Sequence, residues 1–184
     1  MILDSFLQFT GVSPAAGIGN ADGTDSPTTG TQSSTNSIDL HMAGIPVLAN
    51  LQGARDIGIG DDPALKLSVI VTVAFTVGTS LQVNLQGATD NGSGAAAAFV
   101  TWYSTPVYTE AQLVVGAQLL PMDVPRPPDG VAIPRFLQLQ WVSVGTHSTG
   151  KVRGNIVLDR IDQAYLGTSN AVLSGYPAGV NVAN

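Results

Sequence analysis

The sequence predicts an all-β protein: a jelly-roll type antiparallel β-sandwich of about eight strands with extended N- and C-terminal arms. Three observations predict it. Residues 65–86 alternate with a period of two. Leu65, Leu67, Val69, Val71, Val73 and Phe75 hold one face against Lys66, Ser68, Thr72 and Thr76, broken only by Ile70 and Ala74; Leu81, Val83 and Leu85 then alternate with Ser80, Gln82, Asn84 and Gln86. Joined by Val-Gly-Thr, the two runs read as a half-buried antiparallel pair. Second, only 11% of residues are charged, against about 25% in an ordinary globular domain. Two Lys and one Glu (Glu110) are too few for the wet faces of amphipathic helices, while Gly, Pro, Thr, Val and Asp suit strands and turns. Third, short apolar runs recur between turn signals, with no βαβ alternation, heptad or repeat, which favours a sandwich over an open sheet.

In order along the chain, residues 1–9 are apolar at Ile2, Leu3, Phe6, Leu7 and Phe9. They read either as one end of the domain's own core or as an arm that docks on a partner. Residues 11–35 hold almost no bulky apolar side chain and cannot offset their ordering entropy, so an extended arm or long loop is expected. Residues 37–41 read as a strand with Ile38 and Leu40 on one side. The pair at 65–86 follows, then a turn at 88–94 and a strand at 99–105 around Trp102. Residues 109–112 suit a short helical turn, and 113–124 a bulged strand or two short ones around Gly116. The Pro-rich 125–134 cannot lie in a central strand. Strands at 135–144 and 151–159 flank the turn GTHSTG, and the tail from Gly167 is again Gly, Ser and Asn rich. The expected organisation is an N-terminal arm and flexible loop at 1–35, a β-sandwich at 36–166 and a C-terminal tail at 167–184.

At 184 residues one domain is enough for a sizeable core. A net charge of -6, with seven scattered cations, lacks the basic cluster that a nucleic-acid backbone requires. Without cysteine there is neither a disulfide framework nor a thiolate metal site. The start carries Asp4 where a secretion signal is basic, and no apolar run approaches the roughly 20 residues that span a bilayer. A soluble, non-exported chain is expected.

The inventory for chemistry is thin. There is no G-x-S-x-G, P-loop or H-E-x-x-H pattern. His41 and His147 are too few for a jelly-roll metal centre and read as structural or solvated. Asn20, Asp22, Gly23 and Asp25 resemble part of a calcium loop but lack its closing Glu, so turn chemistry is the preferred reading, as it is for Asp61-Asp62. No enzymatic activity, metal or cofactor is expected.

Several segments, in order, resemble the Bbp16-like capsid cement (decoration) protein family of tailed bacteriophages. They are MILDSFLQF at the start, STNSIDL at 34–40, ARDIGIGDDPALKLSVIVTVAFT at 54–76, SLQVNLQGATDN at 80–91, IPRFLQLQWVSVG at 133–145 and GKVRGNIVLDR at 150–160. The turn at 54–58 and the Ile38-Asp39-Leu40 strand are the most specific. Residues 11–35 and 41–53 depart from the pattern. The resemblance implies a jelly-roll cement protein on the outside of a phage head, made in the host cytoplasm. It implies a homo-oligomer, dimer or trimer, seated on the major capsid protein, with no nucleic acid and no membrane. Candidate contacts to the capsid or between subunits are Ile2, Phe6, Phe9, Arg55 and Asp56, the last two also forming a possible ion-pair brace worth at most about 1 kcal/mol if exposed. The alternative is a carbohydrate- or receptor-binding β-sandwich of a phage tail, for which Trp102, Tyr103, Tyr108 and Trp141 are the aromatic candidates, both Trp being better placed for a core.

Overall fold

The computed structural model describes residues 7–11, 17–40 and 66–157. Among these, eight strands pair antiparallel throughout: β1 (Thr29–Ser33), β2 (Ile38–Asp39), β3 (Lys66–Thr76), β4 (Ser80–Ala88), β5 (Val100–Ser104), β6 (Tyr108–Thr109), β7 (Phe136–Thr146) and β8 (Thr149–Val157). The all-β expectation holds, and a short 3-10 turn, Glu110–Gln112, falls where a helical turn is expected. One sheet has the order β1-β7-β4-β5, with β2 also on β7 and β6 also on β4; the other is β3-β8.

The smaller sheet is wider than its two strands. Residues 113–123 run along the free edge of β3, with Phe75 N donating to Leu113 O at 3.1 Å, Val71 N to Ala117 O at 3.0 Å and Leu67 N to Met122 O at 2.7 Å. Gly116, at φ +86°, makes the kink that lets this ribbon follow β3 without forming a regular strand. On the other edge, Phe9 N bonds Gly154 O, and Asp25 exchanges both backbone bonds with Val152 at 2.9 Å.

The alternating faces bury as their period requires. Leu67, Val69, Val71 and Phe75 meet Leu81, Val83, Leu85, Leu137, Leu139 and Trp141 across the sandwich, with Phe9, Ile38, Leu113 and Leu119 closing its margins. Val73 departs from its expected inward place: the β3–β8 register shifts on both sides of it, and it is partly exposed.

The larger correction concerns the two runs at 65–86. They are not paired with one another. β3 pairs with β8 and β4 with β7, so residues 77–79 form a corner between sheets rather than a hairpin. The link from β7 to β8 at His147-Ser148 is a second such corner. A period of two fixes which side chains face inward but carries no information about the neighbouring strand.

Residues 11–35 also differ from the expected arm or loop, since they include β1 and a wholly buried Asp25. Ile18 packs against the core, and hydrogen bonds fix the rest of the described segment: Asn20 N to Thr24 O, Ser26 N to Ile18 O and His147 N to Thr28 O, at 2.7 to 2.8 Å.

Candidate interaction surfaces

The strand directions give the sandwich two ends of different character. At one, here the corner end, β3 turns into β4 and β7 into β8. At the other, the loop end, lie the end of β2, the start of β3, the end of β8, the tip at 89–97 and the Pro-rich 124–135.

The loop end is charged and braced. Arg135 donates from Nε to Asp39 Oδ1 at 3.1 Å and from Nη2 to Asp39 Oδ2 at 2.9 Å, and its Nη1 meets Asp90. Its guanidinium also stands 5.0 Å from the Phe136 ring centre. The Asp39 carboxylate, foremost among the neighbouring groups, holds the guanidinium above its ordinary value. The amides of Gly94 and Gly92, more than Arg135, hold Asp90 below the usual carboxylate range. One side chain thereby ties together β2, the start of β7 and the turn after β4.

Between the ends, Asp25 fixes the N-terminal segment to the larger sheet. Its Oδ1 accepts from Gly11 N (3.0 Å) and Thr35 Oγ1 (2.6 Å), and its Oδ2 from Thr35 N (3.1 Å) and the Trp141 indole Nε1 (3.1 Å). All four donors are uncharged. Asp22 points elsewhere, to Lys151 Nζ at 2.7 Å. The two carboxylates that evoke a calcium loop are thus engaged separately, and among the described residues no group of three or more His, Cys, Asp or Glu is placed to hold a metal.

The outer face of the larger sheet is an interlocked amide ladder. Asn84 Nδ2 donates to Gln140 Oε1 (3.0 Å), Gln138 Nε2 to Gln86 Oε1 (2.7 Å) and Gln86 Nε2 to Thr101 Oγ1 (3.0 Å). These amides bond mainly to one another across strands.

The corner end is built around His147. Its Nε2 donates to Ser80 O at 3.2 Å, and its ring meets Phe75 edge-on, centroids 5.0 Å apart at 81°. A side chain on Gly78 would collide with the His147 ring, and one on Gly150 with Phe75. Ser148 N bonds Thr76 O and Thr79 N bonds Val144 O, both at 2.9 Å, so the corners are stitched to each other. The exposed residues around this interlock are mixed: Val77 is 75% exposed and Val144 52%, standing among exposed Thr76, Thr79, Gly145, Thr146, Ser148 and Thr149.

Of the contact residues expected from sequence, Ile2, Phe6, Arg55 and Asp56 lie outside the described residues, as does His41. Phe9 is wholly buried and fills the core beside Gly154, where it presents no surface to a partner. Of the aromatic candidates, Trp141 is wholly buried, and Trp102 packs over Gly87 against the core. Tyr108 donates its hydroxyl to Leu119 O at 2.8 Å, while Tyr103 is exposed on β5. Val77 is missed by sequence reasoning because it falls in a short link between two strand-like runs, and only the crossing between sheets leaves it exposed at a corner.

A protein-family model, Bbp16, matches residues 24–156, from the buried Asp25 region through nearly all of β8 and well over half the chain. No curated protein matches the chain.

Proposed function

This chain belongs to the Bbp16 family, and from that premise we propose that it is a non-enzymatic structural protein of a bacteriophage head. In this reading it is a cement protein that binds the outside of the major capsid protein lattice and stabilises the expanded shell. The family match over residues 24–156 is the observation that carries the reading. The mechanism is linkage: a protein that binds only the assembled lattice stabilises it by its binding free energy. A homo-oligomer touching several shell subunits amplifies this, because its second contact becomes intramolecular. The fold suits such a role, since Asp25, Arg135 and His147 cross-brace its segments and little reorganisation is needed on binding.

Adding the purified protein to heads assembled without it tests the reading. Bound protein and greater resistance to heat or osmotic shock are expected. Heads that neither bind it nor gain resistance would refute it. A glycan-binding reading draws less support, because Trp141 and Trp102 form core rather than an exposed platform.

A further inference from the structure

We propose that Asn91 is a site of self-modification. The turn at 90–95 promotes loss of its side-chain amide through a cyclic imide, leaving an aspartate or isoaspartate at position 91. Asn91-Gly92 is the sole Asn-Gly pair in the chain; the other asparagines precede Ala, Ser, Leu, Val or Ile, or end it.

The nucleophile is the Gly92 nitrogen. Gly92 sits at φ +88°, a conformation that side chains disfavour, and a Cβ built on it would meet nothing within 4 Å. The turn therefore calls for the residue that shields its own nitrogen least. Gly92 N donates to Asp90 Oδ1 at 2.7 Å. The ionised carboxylate draws on the amide proton and pushes electron density onto the nitrogen. This bond lies in the peptide plane, so it does not block the faces of the plane from which attack occurs.

The electrophile is Asn91 Cγ. Asn91 Oδ1 accepts from Ser93 Oγ at 2.7 Å, Ser93 N at 2.9 Å and Ala95 N at 3.4 Å. These bonds fold the side chain back along the backbone, toward the amide of the next residue. They also aim donors at the atom on which negative charge builds as nitrogen adds to Cγ, as an oxyanion hole does. Nucleophile, proton acceptor and oxyanion donors all come from residues 90–95.

The bonds balance without a cofactor. The bond from Gly92 N to Cγ forms, the Cγ–Nδ2 bond breaks, and ammonia leaves with the proton that Gly92 N gave up. Water then opens the ring at Cγ, giving aspartate, or at the backbone carbonyl, giving isoaspartate with a methylene added to the main chain. Asn91 is exposed, so water reaches it and ammonia departs. Either product sets a new negative charge beside Asp90, in the turn that Arg135 ties to β2. The step needs neither shell nor partner, so it stands apart from the cement reading.

Peptide mapping by mass spectrometry tests this on the full chain at mildly alkaline pH, folded and in urea, with enzymatic methylation of isoaspartate as a second readout. Conversion at Asn91 is expected to lead every other asparagine and to run several-fold faster folded than unfolded. S93A, which removes the hydroxyl donor alone, should slow the folded chain by about 2- to 10-fold, the worth of one hydrogen bond. D90N keeps an acceptor oxygen for Gly92 N but not its charge, and should slow the folded chain likewise. In urea both variants should match the wild type, and melting curves check that each still folds. Conversion as fast or faster in urea would show that the turn protects Asn91 and would overturn the proposal. Folded S93A and D90N chains that convert at the wild-type rate, or another asparagine converting first, would also overturn it.

Discussion

The imidazole of His147 occupies the space that a side chain on Gly78 would need. The two residues sit in different corners, one leading from β3 to β4 and the other from β7 to β8, so their contact locks both crossings between sheets at once. Phe75 backs the ring from the side, edge-on at 5.0 Å, and Gly150 admits Phe75 in turn. The corner is a packed joint, closed by ring-on-backbone contact and by the Ser148 N to Thr76 O bond.

Gly78→Ala therefore drives a methyl group into a ring that has no room to retreat. We expect a loss of about 1–3 kcal/mol, the usual cost of overpacking, read as a lower urea midpoint. His147→Ala in the same chain should recover part of that loss, since the substitutions act on one contact. Additive losses would show that the two corners are not coupled.

Asp25→Ala leaves the Trp141 indole, the Thr35 amide and hydroxyl and the Gly11 amide without their acceptor in a buried site. Each buried donor left unmade costs about 1–3 kcal/mol, so a loss of about 3 kcal/mol or more is expected. Trp141 fluorescence should shift with it. Asp25→Asn keeps one acceptor oxygen and should fall between the two. An unchanged urea midpoint in Asp25→Ala would mean the N-terminal segment is held by other contacts.

Acid should weaken the fold. Asp22 is held below its ordinary value of 3.8 first by the hydrogen bond from Lys151 and then by that from Thr24. Asp90 is lowered by the Gly94 and Gly92 amides, with Arg135 adding less. A depressed folded value means the folded state favours the charged form. The stabilisation is then present above the unfolded value and lost as pH falls through the folded one. Urea midpoints should be level from pH 7 down to about pH 5 and decline below about pH 4. Because both carboxylates are near the surface, added salt should shrink the effect. Asp90→Asn should flatten part of the acid decline; an identical profile would assign it to other carboxylates. The raised Arg135 value lies above the accessible range and leaves the profile untouched.

Iodide should quench Trp fluorescence weakly, because Trp141 is wholly buried and the Trp102 indole is packed over Gly87. Trp141→Phe, which retains only Trp102, should increase the quenching relative to Trp102→Phe. Strong and equal quenching in both variants would contradict this packing.

The all-β class, most strand positions and the inward-facing residues were legible in the chain itself, because alternation, turn residues and Pro placement act over a few residues. Leu67, Val69, Val71, Leu81, Val83 and Leu85 all face the core as their period requires. Strand partners were not legible: β3 and β4 are three residues apart, yet β3 pairs with β8, 73 to 91 residues on, and β4 with β7, 48 to 64 residues on. The same limit hid Asp25. Amid Gly, Ser and Thr it reads as a turn residue, and only the fold sets it against Trp141, 116 positions away.

Sequence alone thus determined the class, the faces and the family resemblance, all of which rest on local order. The tertiary structure decided which strands neighbour one another, that Phe9 belongs to the core, and that Val77 stands exposed at a corner between the sheets. The physical reason is that side-chain period and turn chemistry are local properties of the backbone. Sheet crossing, buried hydrogen bonding and surface clustering depend on contacts between residues far apart in the chain.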